Sequence, residues 1–161
     1  TVGLMMAKIL NVKDQNSMKA AIDLGIAMQL TNIARDVVED SNINRFYIKN
    51  DFETISTTLT LADLFYKSSF TAIKEIPFKF RFAILVARRV YRRIGHKILR
   101  TKNIETYNKA GKIYVNKVEK IFQTIFSIFD LITLLLTKQK SSYMNNEHFL
   151  ISEEINLDER I

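Results

Sequence analysis

The sequence predicts an all-α fold, and three observations support this prediction. One Pro and four Gly in 161 residues leave few positions that interrupt a helix. Apolar side chains recur at spacings of three and four residues through several long segments, which is the spacing of one helix face. Hydrophobic residues form 47% of the chain, enough for one domain with a substantial core. The absence of Cys excludes a disulfide framework and a thiolate metal site.

The first part of the chain predicts two helices separated by a polar turn. Residues 1–10 are predicted to be the end of an apolar helix, in which Gly3 permits close approach of another helix or a substrate. After a short polar stretch, Ser17 is the predicted N-cap of a second helix. This helix is predicted to reach Asp40, where the turn-forming residues 41–44 end it.

The middle of the chain predicts two further helices with a sharp boundary between them. Residues 60–76 show a helical apolar pattern, and Pro77 ends it. Residues 78–100 resume the pattern, with apolar side chains every three or four positions. Residues 104–137 then predict a final long helix or a helix pair.

The last apolar segment is predicted to be a core helix. Residues 121–136 are very apolar, but they are shorter than a bilayer span of about 20 residues and contain Asp130. After residue 137 the periodicity is lost, so residues 138–161 are predicted to be a mobile tail. Residues 1–137 therefore form the predicted helical domain.

A polar stripe on the second helix is the feature around which the chain is organised. Gln29, Asn32, Asp36 and Asp40 fall on one narrow face at 100° per residue. Directly beside it runs an apolar stripe of Ile22, Ile26, Leu30, Ile33 and Val37. A surface helix places its polar face opposite its apolar face, so adjacent stripes favour a helix that lines a cavity.

The chemistry of the polar stripe indicates a hard divalent cation. Asp36 and Asp40 form a like-charge i,i+4 pair, which costs about 0.2–0.5 kcal/mol on an isolated helix. No Lys or Arg lies four residues away on that face to offset the repulsion. Carboxylate and amide oxygens suit Mg²⁺, and Mn²⁺ accepts the same ligands. The alternative is a solvated acidic helix end, which the two amides on the same stripe disfavour.

The motif resembles a known enzyme family. Residues 24–40, LGIAMQLTNIARDVVED, followed by Arg45-Phe46-Tyr47, resemble the second aspartate-rich motif of the squalene/phytoene synthase family, and most closely its bacterial phytoene synthase branch. The resemblance extends over roughly residues 1–120. It implies Mg²⁺-diphosphate binding in an all-helical, isoprenoid (terpenoid) synthase-type bundle, of which residues 1–137 would be the C-terminal part.

The same resemblance implies roles for individual residues. Asn32, Asp36 and Asp40 would be metal ligands, with the two aspartates also catalytic. Gln29 would orient ligands or line the cavity. The implied diphosphate contacts are Arg35, Arg45, Tyr47 and Lys109.

Three substitutions depart from the family's pattern. Asn44 stands where the family has Gly, and Asn tolerates the left-handed conformation. Lys49 replaces a Pro and removes a stiff turn. Lys109 replaces an Arg, so the charge is kept but the bidentate fork is lost.

The fourth predicted segment, residues 78–100, is strongly basic, in a chain of net charge +7. Arg81, Arg88 and Arg92 fall on one helix face. One interpretation is a solvated flank whose apolar stems pack down. Another is a surface for anionic lipid or diphosphate, which would make the protein peripheral at a membrane. No nucleic-acid-binding module is recognised, so a nucleic-acid partner is not predicted.

These observations lead to a hypothesis for the function. The chain resembles a transferase of carotenoid and isoprenoid biosynthesis that joins two geranylgeranyl diphosphates head to head to phytoene. A squalene or dehydrosqualene synthase of the same family is one alternative. The other is a non-catalytic basic helical module that binds anionic membrane or a partner protein. The family's first aspartate-rich motif is not found before Gly25, so the chain is expected to be an incomplete enzyme, inactive alone and cytoplasmic.

Overall fold

A computed structural model describes residues 2–13 and 15–137 and confirms the predicted all-α class. The described residues form helices and connecting turns without a strand. A 3₁₀ helix, Thr71–Glu75, lies between the fourth and fifth α-helices. The α-helices are α1 Val2–Ile9, α2 Gln15–Arg35, α3 Val37–Asn42, α4 Phe52–Ser68, α5 Phe78–Leu99, α6 Ile104–Ala110 and α7 Lys117–Leu136. The tail predicted for residues 138–161 lies outside the described residues.

Helix α2 is the centre of the fold, because α1, α4 and α5 all pack against it. Buried residues of α1, α2 and α5 share one apolar cluster, and those of α2 and α4 share another. A hydrogen bond of 3.0 Å between the Thr31 hydroxyl and the Tyr66 hydroxyl joins α2 to α4 in the interior. The close approach allowed by Gly3 is to a helix, since a Cβ there would lie 2.1 Å from the Ala21 carbonyl oxygen of α2.

Two predicted helix starts are wrong. α2 begins at Gln15, so Ser17 lies within its first turn, where it is 5% exposed, and is not the N-cap. α4 begins at Phe52, eight residues before the predicted start at Thr60. Asp51 caps α4, because its carboxylate accepts hydrogen bonds from the Thr54 N–H at 2.7 Å and the Thr54 hydroxyl at 2.9 Å.

The predicted final segment is a helix pair. α6 and α7 are separated by a turn in which Gly111 has φ +62°, a conformation that favours glycine. Asn116 and Glu119 form a reciprocal capping box at the start of α7. Chain reversal at this turn returns α7 to α5, against which it packs.

The prediction that residues 121–136 form a core helix is wrong. Ser127 and Leu134 are the buried side chains of α7. The exposed ones include Ile121, Phe122, Ile125, Phe126, Ile128, Phe129, Ile132, Leu135 and Leu136. The apolar residues surround α7 on several sides, and only one side faces α5. Across residues 2–13 and 15–137, no helix combines the length and apolar content needed to cross a bilayer.

One interpretation of the basic helix, a solvated flank, does not agree with the structure. Arg88 is buried and donates to the Tyr66 carbonyl oxygen at 2.9 and 2.7 Å. Arg92 forms an ion pair with Asp63 of α4. Arg81 donates to the Ile76 carbonyl oxygen. These three arginines therefore hold the fold together through partners within the chain.

Candidate functional site

The polar stripe crosses a bend between α2 and α3. Asp36 lies at the bend with φ −103° and ψ 13°. Two four-residue hydrogen bonds nevertheless span it, from the Asp36 N–H to the Asn32 carbonyl at 2.9 Å and from the Asp40 N–H to the Asp36 carbonyl at 2.8 Å. Because these two bonds link them, Asn32, Asp36 and Asp40 still succeed one another turn by turn.

Asn32 carries the clearest sign of a ligand-binding position. Its Oδ1 atom is buried and has no hydrogen-bond partner among the described residues. A buried carbonyl oxygen without a partner costs about 1–3 kcal/mol, so such atoms need an explanation. A cation bound by this oxygen would provide one. The donor set of one amide and two carboxylates suits Mg²⁺ or Mn²⁺.

Asp36 is neutralised by two cations, although the sequence analysis found none on its helix face. Arg35 donates through Nε to Oδ1 at 2.8 Å and through Nη2 to Oδ2 at 2.6 Å. Lys112 lies 3.4 Å from Oδ1. Burial raises the pKa of Asp36, but the hydrogen bonds from Arg35 and Lys112 outweigh it and hold the pKa below its ordinary value.

Lys112 is the site residue that sequence reasoning missed. It also donates to Glu39 Oε2 at 2.6 Å, so it joins the turn after α6 to α3. The sequence around Lys112 gives little indication that it belongs to a site, because a lysine beside Gly111 is typical of any exposed turn. The predicted Lys109 is exposed near the end of α6. Within residues 2–13 and 15–137 it takes part in no ion pair with the aspartates.

Tyr107 holds α6 against the bend. Its hydroxyl donates to the carbonyl oxygens of Ala34 at 2.9 Å and Arg35 at 3.0 Å. Burial raises the pKa of Tyr107 to about 12. These carbonyls belong to the last turn of α2, where helical partners are lacking, so Tyr107 stabilises the end of α2 and fixes the backbone beside Asp36.

The remaining predicted site residues are exposed. Gln29 is exposed on α2. The Arg45 N–H donates to the Asp40 carbonyl at 2.8 Å, which places the loop after α3 beside the stripe. The Arg45 side chain is exposed, and Tyr47 is 60% exposed. Asn44 has φ +58°, the left-handed conformation that Asn tolerates.

An apolar cavity of about 220 Å³ lies between α1, α2, the 3₁₀ helix and α5. Its α2 wall includes Ala21, Gly25 and Met28. Gly25 precedes Asn32 by seven residues and Met28 precedes it by four, so all three share one face of α2. The predicted apolar stripe beside the ligands, by contrast, packs mainly into the core: Ile22 and Val37 are buried in two different clusters.

In the described part of the chain, no group of three or more His, Cys, Asp or Glu is placed to hold a metal ion. The candidate donors are thus Asn32, Asp36 and Asp40, with open positions for a substrate.

Comparison with known proteins finds sequences similar to this chain in one enzyme family. A model described as squalene/phytoene synthase matches residues 1–52. A 15-cis-phytoene synthase of a Paracoccus species is 35% identical over 74% of this chain and 44% of its own length. A 15-cis-phytoene synthase of Enterobacter agglomerans is 34% identical over 61% of this chain and 40% of its own length. Phytoene synthase 1, chloroplastic, of Arabidopsis thaliana is 29% identical over 75% of this chain and 34% of its own length.

These matches confirm the resemblance to the squalene/phytoene synthase family. The chain spans less than half the length of the curated relatives named above. No solved structure matches it with significant similarity.

Proposed function

We propose that this chain supplies the metal-diphosphate end of the active site of a phytoene synthase, which condenses two geranylgeranyl diphosphates head to head. The observation that carries the proposal is the unpartnered, buried Oδ1 of Asn32. It lies on the helix face that holds Asp36 and Asp40, in a chain that is similar to proteins named 15-cis-phytoene synthase. The names of these relatives favour phytoene over squalene or dehydrosqualene as the product.

The metal ligands in this proposal are Asn32, Asp36 and Asp40. A divalent ion, Mg²⁺ or Mn²⁺, supplies Lewis-acid stabilisation of the negative charge that develops on a leaving diphosphate. The lowered pKa of Asp36 keeps its carboxylate ionised and able to bind a cation at neutral pH. Gln29, one turn before Asn32, is proposed to orient ligands at the open side of the stripe.

Cationic side chains next to the stripe are proposed to bind the diphosphate. Arg35 and Lys112 already lie against Asp36, and a bound metal ion would take over part of their role as countercharge. Their donors would then be free to contact diphosphate oxygens, for which the forked guanidinium of Arg35 is well suited. The exposed Arg45, Tyr47 and Lys109 are further proposed contacts.

The apolar cavity is proposed to hold part of a prenyl chain. Its walls are formed almost entirely by apolar and small side chains, so water is poorly stabilised there. It lies along the same face of α2 as Asn32, about seven residues or 10 Å towards the N-terminus. This order places a charged head at the aspartates and an apolar chain towards Gly25.

The proposed enzyme is cytoplasmic and peripheral at a membrane, where an uncharged hydrocarbon product can partition. Arg81, Arg88 and Arg92 each have a partner within the fold, so the proposed membrane contact does not rest on them.

A chimera tests the proposed function. Residues 1–137 replace the aligned part of the Paracoccus relative, and the product from geranylgeranyl diphosphate and Mg²⁺ is extracted and identified. We expect phytoene from the chimera and none from the chimera with Asp36→Asn, since a neutral amide binds Mg²⁺ more weakly than a carboxylate does. The control is Glu105→Gln, a similar loss of one charge at an exposed residue of α6. Unchanged product formation with Asp36→Asn, in a folded chimera, would reject the ligand assignment.

A further inference from the structure

A second charged site lies between α5 and α7, away from the aspartate stripe. It is a groove of about 390 Å³, here called the arginine groove. α5 supplies Arg88, Arg89, Arg92, Arg93 and His96, and α7 supplies Asp130 among others. No residue of the aspartate stripe lines it.

The arginine groove holds more positive than negative charge. Asp130 pairs with Arg89, Asp63 pairs with Arg92 and Lys67, and Glu119 pairs with Arg93 and Lys97. Arg88 is paired with no carboxylate among the described residues. Six cationic side chains thus accompany three carboxylates, which leaves a surplus of three positive charges at the groove and its rim.

Arg88 is a buried cation without an anionic partner. The residue is 6% exposed, and its hydrogen bonds, from Nε and Nη2, go to a single neutral acceptor, the Tyr66 carbonyl. Its guanidinium also stacks on the Phe70 ring, 4.9 Å from the centroid. Burial, and next the charge of Arg92, lower the pKa of Arg88 to about 10. The end of α4 offsets part of this charge, but an anion in the groove would offset it far better.

Arg93 and His96 are two further hydrogen-bond donors that line the groove. Arg93 Nε is buried and has no hydrogen-bond partner in the described part of the chain, although Nη2 of the same residue contacts Glu119 at 3.2 Å. Burial, and then Arg92, lower the pKa of His96 below its ordinary value, so at neutral pH the imidazole is mostly uncharged. The nearby Asp63 carboxylate, 3.9 Å away, is not enough to reverse this shift.

We infer that the arginine groove binds a phosphate-bearing anion directly through guanidinium groups, without a divalent metal ion. The forked guanidinium groups of the four arginines that line the groove suit the several oxygens of a phosphate or diphosphate group. The surplus of three positive charges matches such a group better than a single carboxylate. The groove's aromatic walls, Phe70 and Phe126, would exclude water around the anion and strengthen these contacts. This inference does not rest on the proposed function, since it needs neither the metal nor the aspartates.

Calorimetry on the full 161-residue chain tests the inference. Inorganic diphosphate is titrated in the presence of EDTA, so that any metal-dependent site remains silent. We expect saturable binding that Arg93→Gln weakens roughly tenfold, because it removes a charged donor from the groove. The matched control is Arg100→Gln, the same change at an exposed residue at the end of α5, outside the groove; it should change Kd less than about twofold.

Two results would overturn the inference. One is no saturable binding of diphosphate in EDTA. The other is equal weakening by Arg93→Gln and Arg100→Gln, which would indicate only the general positive charge of the chain. Should Arg93→Gln unfold the protein, the His96 ring protons provide the second measurement. Bound diphosphate should raise the pKa of His96 in NMR titrations, and an unchanged midpoint would reject the site.

Vesicle binding then distinguishes two sources of the phosphate group. Phosphatidylcholine vesicles with phosphatidic acid present a phosphomonoester, whereas those with phosphatidylglycerol present only a phosphodiester. Retention on the first kind alone, reversed by diphosphate and reduced by Arg93→Gln, supports the groove and assigns a lipid headgroup. Diphosphate binding without retention supports the groove and assigns a soluble ligand. Equal retention on both kinds, insensitive to Arg93→Gln, would reject a lipid at this groove.

Discussion

At the scale of single residues, Asp63 shows how the charges of the chain are used. Lys67 lies 2.8 Å from its carboxylate, and Arg92 donates to both of its oxygens. Burial raises the pKa of Asp63, but the hydrogen bonds from Arg92 and Lys67 outweigh it and bring the pKa to about 2. Asp63 therefore ties α4 to α5 while it remains ionised.

Acid should weaken the fold through Asp63. Because its folded-state pKa is lowered to about 2, its contribution is present above about pH 4 and is lost as the pH falls towards 2. After allowance for partial exposure, we expect a loss of about 1 kcal/mol in the free energy of unfolding. Urea titrations of the chain and of Asp63→Asn at pH 5, 4, 3 and 2 measure this. The difference in the free energy of unfolding between the two proteins should shrink over that range. A constant difference would contradict the assigned pKa.

At the scale of helices, the contact between α1 and α2 depends on one glycine. A Cβ on Gly3 would lie 2.1 Å from the Ala21 oxygen and 2.8 Å from the Ala21 carbonyl carbon. These are backbone atoms, so α1 can accommodate a methyl group only by moving away from α2. Such a movement would also open the apolar cavity, because Gly3, Ala21 and Gly25 all line it.

Gly3→Ala should destabilise the protein. Overpacking of this kind costs about 1–3 kcal/mol, which outweighs the small gain in helix propensity from Ala. The control is Met5→Ala on the same helix, where the side chain is 57% exposed and we expect a change within about 0.5 kcal/mol. Chemical denaturation followed by circular dichroism compares the two. Equal stability of Gly3→Ala and the parent would mean that α1 does not pack on α2 this closely.

Helix α7 shows the opposite situation, an apolar element with too little covering it. Phe129 is 60% exposed, Phe122 is 54% exposed, and their apolar neighbours along the helix are similarly uncovered. A continuous apolar surface of this kind promotes association in water.

We expect the chain to self-associate through α7. Phe129→Glu should shift sedimentation velocity profiles towards the monomer without loss of helical content, because the new charge is costly to bury in an apolar contact. The matched control is Phe46→Glu, which adds the same charge at a loop residue that is 75% exposed. An equal effect of both variants would point to net charge rather than to the surface of α7.

At the scale of the whole molecule, charge balance limits what the chain can catalyse alone. The two diphosphate substrates of the proposed reaction would bring several negative charges, which more than one metal ion would have to offset. Within the described residues, the aspartate stripe offers two carboxylates and one buried amide oxygen. The chain also spans only 44% of the length of its Paracoccus relative.

The purified 161-residue chain should therefore form no phytoene from geranylgeranyl diphosphate and Mg²⁺. Lipid extraction and analysis after incubation measure this, with the full-length Paracoccus relative as the positive control. Mg²⁺-dependent binding of diphosphate, if present, should be weak. Substantial phytoene formation would show that the described helices already contain a complete site and would contradict the charge argument.

Local features of the sequence were sufficient for the helix class and for the stripe of Asn32, Asp36 and Asp40. Both depend on residue type and on spacings of three and four, which a helix converts directly into a shared face. The three residues stay on one face across the bend at Asp36 because two four-residue hydrogen bonds, from the Asp36 and Asp40 N–H groups, span it. The left-handed conformation of Asn44 was foreseeable for the same reason, since it depends on one side chain.

The partners of the charged side chains could not be predicted from the spacing of residues in the sequence. Lys112 reaches Asp36 from 76 positions away, and Arg88 enters the interior to bind a carbonyl of another helix. The predicted burial of α7 failed because apolar composition favours a covered helix but does not supply the element that covers it. Tertiary packing decided these three features, because ion pairing and burial depend on which surfaces meet, and residues far apart in the chain form those surfaces together.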